Sequence, residues 1–169
     1  MITFALTLAF AVPALPQAAD SLAPARDGQL QCYSPDVARK TCAALAGYAF
    51  ASSGEILNQS EVMINPAPLI VMKDEAPVVV RDGAVCGPMA GLDDAVFHID
   101  GAPADPETTE MMRGQVEAAF AEMGTEGCTR YTPQGEGWLA EVAIDGQPRP
   151  ELNQPGIWIS PSDGYSVRP

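Results

Sequence analysis

The sequence predicts an α+β protein: a largely antiparallel β-sheet, one long amphipathic helix packed on a face, a short N-terminal helix and two disulfides. Three observations carry this. Residues 105–124, DPETTEMMRGQVEAAFAEMG, form the single long stretch with helical periodicity. Most of the remaining chain is short Val-, Ile- and Tyr-rich runs separated by Asp-Gly, Asn-Pro and Ser-Gly turns. Four cysteines lie beyond an apolar leader.

The helix begins with Asp105, whose carboxylate can accept from a free N–H of the first turn. Pro106 occupies the position where no N–H is needed, and Glu107 and Glu110 suit the positive end of the helix dipole. Met112, Val116, Ala119, Phe120 and Met123 fall on one stripe, expected to pack on the protein's own sheet. Gly114 weakens the interior, and Gly124 and Gly127 are stop signals.

The 169 residues suit one domain, expected over residues 31–169. Residues 1–19 have the form of a secretory signal peptide: an apolar run from Ile2 to Leu15, then Pro16 and the small pair Ala18-Ala19. That run is short for a membrane span, so no stable span is expected after cleavage. Gln31 argues against lipid attachment at Cys32. An exported chain, periplasmic or extracellular, is the expectation. Residues 20–30 mix Ala, Pro, Asp and Gly and read as a flexible leader.

In an exported chain Cys32, Cys42, Cys86 and Cys128 read as two disulfides. The spacing favours Cys32–Cys42 and Cys86–Cys128 among three possible pairings. On the loop-entropy model they would contribute about 3 and about 4 kcal/mol. The second would tie the end of the long helix to the sheet. No pair is spaced as Cys-x-x-Cys, which speaks against a redox pair or zinc ribbon.

In chain order, Ser34-Pro35-Asp36 opens a short helix limited by the Cys32–Cys42 pairing. Ala46, Tyr48 and Phe50 alternate as a strand. Ser52-Ser53-Gly54 turns the chain, and Glu55 to Ile64 returns. Leu69 to Met72 and Val78 to Val80 are separate short runs around a Lys-Asp-Glu-Ala-Pro turn. Arg81-Asp82-Gly83-Ala84 is a type I′ hairpin signal, pairing Val80 with Val85 and Val79 with Cys86. Further strands are expected at Ala95 to Ile99, Thr129 to Thr132 and Trp138 to Ile144. Ile99-Asp-Gly-Ala-Pro103 and Ile144-Asp-Gly-Gln-Pro148 share a strand-ending turn. Ile157 to Ser160 and Tyr165 to Val167 are expected as a last hairpin.

The formal net charge of −13 excludes nucleic acid as a natural partner and disfavours anionic membrane surfaces. The single histidine, His98, lies between Phe97 and Ile99, where a structural role is commoner than catalysis. No Gly-x-Ser-x-Gly elbow or phosphate-cradling glycine loop is present. Asp93, Asp94, Asp100, Asp105 and Glu107 could supply paired carboxylates or calcium ligands, but they lack the EF-hand pattern, and Asp105 already serves as a cap. Trp138, Trp158, Tyr131 and Tyr165 could line a carbohydrate or peptide groove; aromatic residues in half-buried strands are more often core.

Cys32-Tyr33 through Cys42, Asp82-Gly-Ala-Val-Cys-Gly87 and Ser160-Pro-Ser-Asp-Gly-Tyr165 together resemble a group of small exported bacterial proteins of uncharacterised role. The resemblance implies an exported disulfide fold and assigns no catalytic or binding residue. The functional expectation is a non-enzymatic binding or accessory module without cofactor or metal, with an envelope protein or polysaccharide as partner. The alternatives are a cell-envelope hydrolase using paired carboxylates, or an inhibitor of a secreted enzyme acting through the Cys32–Cys42 segment.

Overall fold

The computed structural model describes residues 20–169; the signal-peptide expectation for residues 1–19 lies outside them. The strands are β1 (Leu30–Tyr33), β2 (Thr41–Cys42), β3 (Ala44–Phe50), β4 (Ile56–Pro66), β5 (Leu69–Arg81), β6 (Ala84–Pro88), β7 (Val96–Ile99), β8 (Ala102–Pro103), β9 (Glu126–Gln134), β10 (Gly137–Ile144), β11 (Gln147–Pro148), β12 (Gln154–Ile159) and β13 (Ser166–Val167). The helices are α1 (Ala23–Arg26) and α2 (Pro106–Met123).

The antiparallel sheet of the sequence reading is present, and it closes on itself. The order β4-β3-β1-β12-β10-β9-β6-β5 returns to β4 through a long β4–β5 pairing, which makes an eight-stranded antiparallel barrel. Closure removes the exposed edges that an open sheet would present. β7 and β8 extend from β5 outside the ring, and β11 pairs with β10.

Along β5, Met72, Asp74, Ala76 and Val78 face inward, while Lys73 and Glu75 face outward. The outer face of this wall is polar: Lys73 pairs with Glu61 at 2.7 Å, and Gln59 donates to Glu75. α1 sits at one end of the barrel. Leu22 is fully buried there with Ala25 and Val85, against Phe50, Ile56, Val78 and Trp158. α2 lies at the other end, where Met112, Val116 and Phe120 pack on Met72, Leu92, Ala95 and Phe97. A third cluster lies outside the barrel wall, around Cys32, Cys42 and Ile159.

Several local expectations are met. Asp105 accepts from Thr108 N–H at 2.9 Å, and Pro106 begins α2. Asp82 and Gly83 take φ of 52° and 77°, and Val80 faces Val85 and Val79 faces Cys86. Asp100-Gly101 and Asp145-Gly146 are matching two-residue hairpin turns, each followed by a two-residue return strand.

Other expectations are corrected. The Lys-Asp-Glu-Ala-Pro segment is not a turn; it is the middle of the thirteen-residue β5. Pro77 is tolerated because β5 is paired there only with β4: pairing with β7 ends at Lys73 and pairing with β6 starts at Val79. The short helix is α1, inside the segment read as a leader, and not a helix after Ser34, where Asp36 instead bridges Thr41. The final hairpin does not form. Pro161–Asp163 is a 3-10 turn capped by Ser160, and β13 pairs in parallel with β2. α2 packs its apolar stripe on Met72 and Phe97, which are in register on β5 and β7, as the sequence reading expects.

Both disulfides have the expected partners, Cys32–Cys42 and Cys86–Cys128. The second does not join helix to sheet. α2 ends at Met123 and β9 begins at Glu126, so Cys128 is a strand residue directly opposite Cys86 on β6.

Candidate functional site

The barrel is not filled by side chains. A cavity of about 690 Å3 lies between a layer of tyrosines and the underside of α2, within the range of small-molecule sites. Its walls are largely apolar, with Val78, Val85, Val142 and Ile144 from three strands and Phe120 and Met123 from α2. A second space of about 310 Å3 adjoins it and shares Tyr33, Asn58, Ala76, Pro88, Phe120 and Gln154 with it.

The floor of the cavity is a hydrogen-bonded layer. Gln31 is fully buried, and its Oε1 lies 2.9 Å from the hydroxyl of Tyr48, 3.1 Å from Tyr33 and 3.3 Å from Tyr131. The Tyr33 and Tyr131 hydroxyls are 2.8 Å apart. Burial, with the neighbouring phenols adding to it, pushes Tyr33 and Tyr48 well above the ordinary tyrosine range. They are therefore neutral phenols, able both to donate and to accept. Trp138 stands edge-on to Tyr33 and Tyr131, with ring centroids 4.9 Å and 5.0 Å away. Alternation along the strands produces this layer: Gln31 and Tyr33 are two residues apart on β1, so both face inward, and the intervening Cys32 faces out to Cys42.

At the α2 end the lining contains one carboxylate without a countercharge. Asp74 faces inward between Met72 and Ala76, and its Oδ1 is buried with no hydrogen-bond partner among the described residues. Desolvation raises its carboxyl above the ordinary aspartate range; the backbone N–H of Glu75 partly offsets this, and the nearby charges of Asp94 and Glu75 add smaller upward contributions.

Besides its apolar stripe, α2 is attached over this end by polar bonds. Arg113 donates to the carbonyl of Ala95 at 3.2 Å. At the helix exit Asp145 accepts from Thr125 N–H, Thr125 Oγ1 and Glu126 N–H, and these bonds hold its carboxyl below the ordinary aspartate range. Gly124 has φ of 153°, and a Cβ there would lie 2.4 Å from Ile144 Cγ2, so the chain leaves the helix through a position only glycine fits. No residue of α2 is fully buried.

The acids singled out from sequence are not assembled around the cavity. Asp100 accepts from Leu69 N–H, Asp105 caps α2, and Asp93, Asp94 and Glu107 are exposed. Asp94 reaches an outer groove shared with Lys73, Asp74 and Glu75, so Asp74 borders this groove as well as the inner chamber. His98 lies on β7 opposite Val71 and Pro103, away from both spaces. Of the four aromatic residues, Tyr131 lines the cavity, Trp138 and Trp158 pack beneath it, and Tyr165 belongs to the cluster outside the wall. Cys86, Cys128 and Glu126 lie close enough to suggest metal ligands, but both sulfurs are bonded to each other and Glu126 pairs with Arg81 at 2.6 Å.

Sequence reasoning missed Tyr33, Tyr48, Gln31, Asp74 and Phe120 as a set. The inward alternation of Gln31/Tyr33 and Ala46/Tyr48 was visible; nothing in the sequence showed that these strands face one another across a closed ring. Among the described residues no helix is long and apolar enough to cross a membrane. What the structure establishes is a small disulfide-stabilised barrel with an open-mouthed cavity. Compared with protein-family models, with curated proteins and with solved structures, the chain matches none.

Proposed function

We propose that this chain is an exported, non-enzymatic binding module that holds one small, largely apolar molecule inside its barrel. The observation that carries this reading is the cavity of about 690 Å3, bounded by the Tyr33–Tyr48–Tyr131 hydroxyl layer and by Phe120 and Met123. Eight-stranded barrels have interiors just wide enough to be filled by side chains or to hold a small ligand. Small inward residues such as Ala76 leave this one unfilled. The apolar walls favour burial of a hydrocarbon or aromatic body, and the neutral phenols can orient one polar group at the floor.

Export is supported by the apolar run of residues 1–19 and by two disulfides, which persist in oxidising compartments. Binding of a cargo, and not hydrolysis, is supported by the site's composition: the floor offers phenols and an amide, and among the described residues Asp74 is the only carboxylate of the inner chamber.

Native mass spectrometry of the protein recovered from its own compartment tests this reading. The expected species is an oxidised chain that has lost residues 1–19 and carries a single small-molecule mass, which is released on denaturation. An intact leader, free thiols, or a chain that remains bare after exposure to a cellular lipid and metabolite extract would count against it.

A further inference from the structure

Among the described residues both charged side chains that line the two adjoining spaces are acidic, Asp74 in the inner chamber and Glu151 at the wall of the larger one, and no Lys or Arg lines either. Glu151 already has a partner in Arg149. Asp74 has no cationic partner among the described residues: its Oδ1 is shielded from solvent and accepts no hydrogen bond there, and the backbone N–H of Glu75 is the one group that favours its charged form. An ionised carboxylate is an acceptor only, and one held among Met72, Leu92 and Phe120 with one oxygen unpaired is costly. The cost falls if the bound molecule itself brings the donor, and falls most if that donor is a cation.

Resting on the binding reading above, we propose that the cavity selects an amine-bearing amphiphile: a cationic ammonium group held by Asp74 at the α2 end, with its apolar or aromatic body in the larger space. The aromatic walls fit the same chemistry. Phe120 and Tyr33 line both spaces, and aromatic faces attract organic cations. The net charge of −13 also draws cations toward the protein as a whole and repels carboxylate analogues of the same skeleton.

The test is a matched series of one skeleton: 4-phenylbutylamine, 4-phenylbutanol and 4-phenylbutyrate, each titrated calorimetrically at neutral pH into wild type, Asp74→Asn and Glu151→Gln. The amine is expected to bind wild type at least about tenfold more tightly than the alcohol, and the carboxylate most weakly. Asp74→Asn removes the amine's advantage and leaves alcohol affinity within about twofold, whereas Glu151→Gln retains the advantage. Thermal unfolding of each variant reports whether it is folded. Equal affinity of wild type for amine and alcohol overturns the cationic assignment and leaves the cavity reading standing. An amine preference that survives in folded Asp74→Asn overturns the role of Asp74. Failure of all three compounds to bind wild type contradicts the binding reading itself, and this proposal with it.

Discussion

Gly156 on β12 shows how a single position shapes the barrel floor. A Cβ at this site would lie 2.0 Å from Trp138 Cη2. The indole therefore lies directly over the backbone of the neighbouring strand, where Trp138 and Gly156 are in register. Gly156→Ala must push the ring away from Tyr33 and Tyr131, and is expected to destabilise the protein by about 1–3 kcal/mol, measured as a lower denaturant midpoint with unchanged slope. Asp74 makes the opposite prediction. Its carboxyl is raised above the ordinary aspartate range by burial. The unfolded chain therefore releases this proton at lower pH than the native one, and stability falls as pH rises from the ordinary range, about 4, through the raised value. Asp74→Asn should raise the melting temperature at pH 7, with the gain fading below about pH 4. A gain independent of pH would mean that Asp74 titrates alike in the folded and unfolded chain, contrary to the burial argument.

At the scale of elements, α2 is capped at its start and packed through Met112, Val116 and Phe120. The cap at Asp105 contributes through both Thr108 N–H and Thr108 Oγ1. Asp105→Ala should cost about 1 kcal/mol. Gly114 is helical, and a Cβ there meets nothing within 4 Å, so Gly114→Ala should stabilise the helix by about 1 kcal/mol. The pair, compared by denaturant unfolding, isolates α2 from the barrel; a loss of stability at Gly114→Ala would mean that this helix face is covered. The cap and the helix were legible in sequence because both are local: an Asp-Pro start, a 3.6-residue stripe and a glycine stop. The Asp82-Gly83 hairpin was legible for the same reason. β5 was not, because Pro77 normally ends a strand and becomes tolerable only where one edge lacks a partner. The plug formed by Leu22 was hidden by its composition: one leucine among Ala, Pro and Asp has no periodicity to reveal that a barrel end covers it.

For the whole molecule, the sequence carried the class of structure and the cysteine partners but not closure. An antiparallel sheet and a barrel share the same strand patterns. They differ in whether first and last neighbours meet, here through the β4–β5 and β1–β12 pairings. Closure turns the inward residues of eight strands into one lining, and so brings together Tyr33, Tyr48, Tyr131 and Asp74, which lie on four different strands. It also changes the meaning of Cys86–Cys128. The bond links two adjacent staves of the ring, across 42 residues of sequence, instead of fastening a helix. Cys32–Cys42 fastens the outer cluster onto the wall.

The central claim is that the space inside the barrel is a binding site, and a fluorescence titration with the neutral apolar probe N-phenyl-1-naphthylamine tests it most directly. Ala76 lines both connected spaces, so Ala76→Phe would fill them from the wall without touching the tyrosine layer's hydrogen bonds. The account predicts saturable binding of one probe per wild-type chain, and affinity at least about tenfold weaker in a folded Ala76→Phe protein. Unsaturable binding, or binding unchanged by Ala76→Phe, would place the probe on the outer surface and contradict the claim.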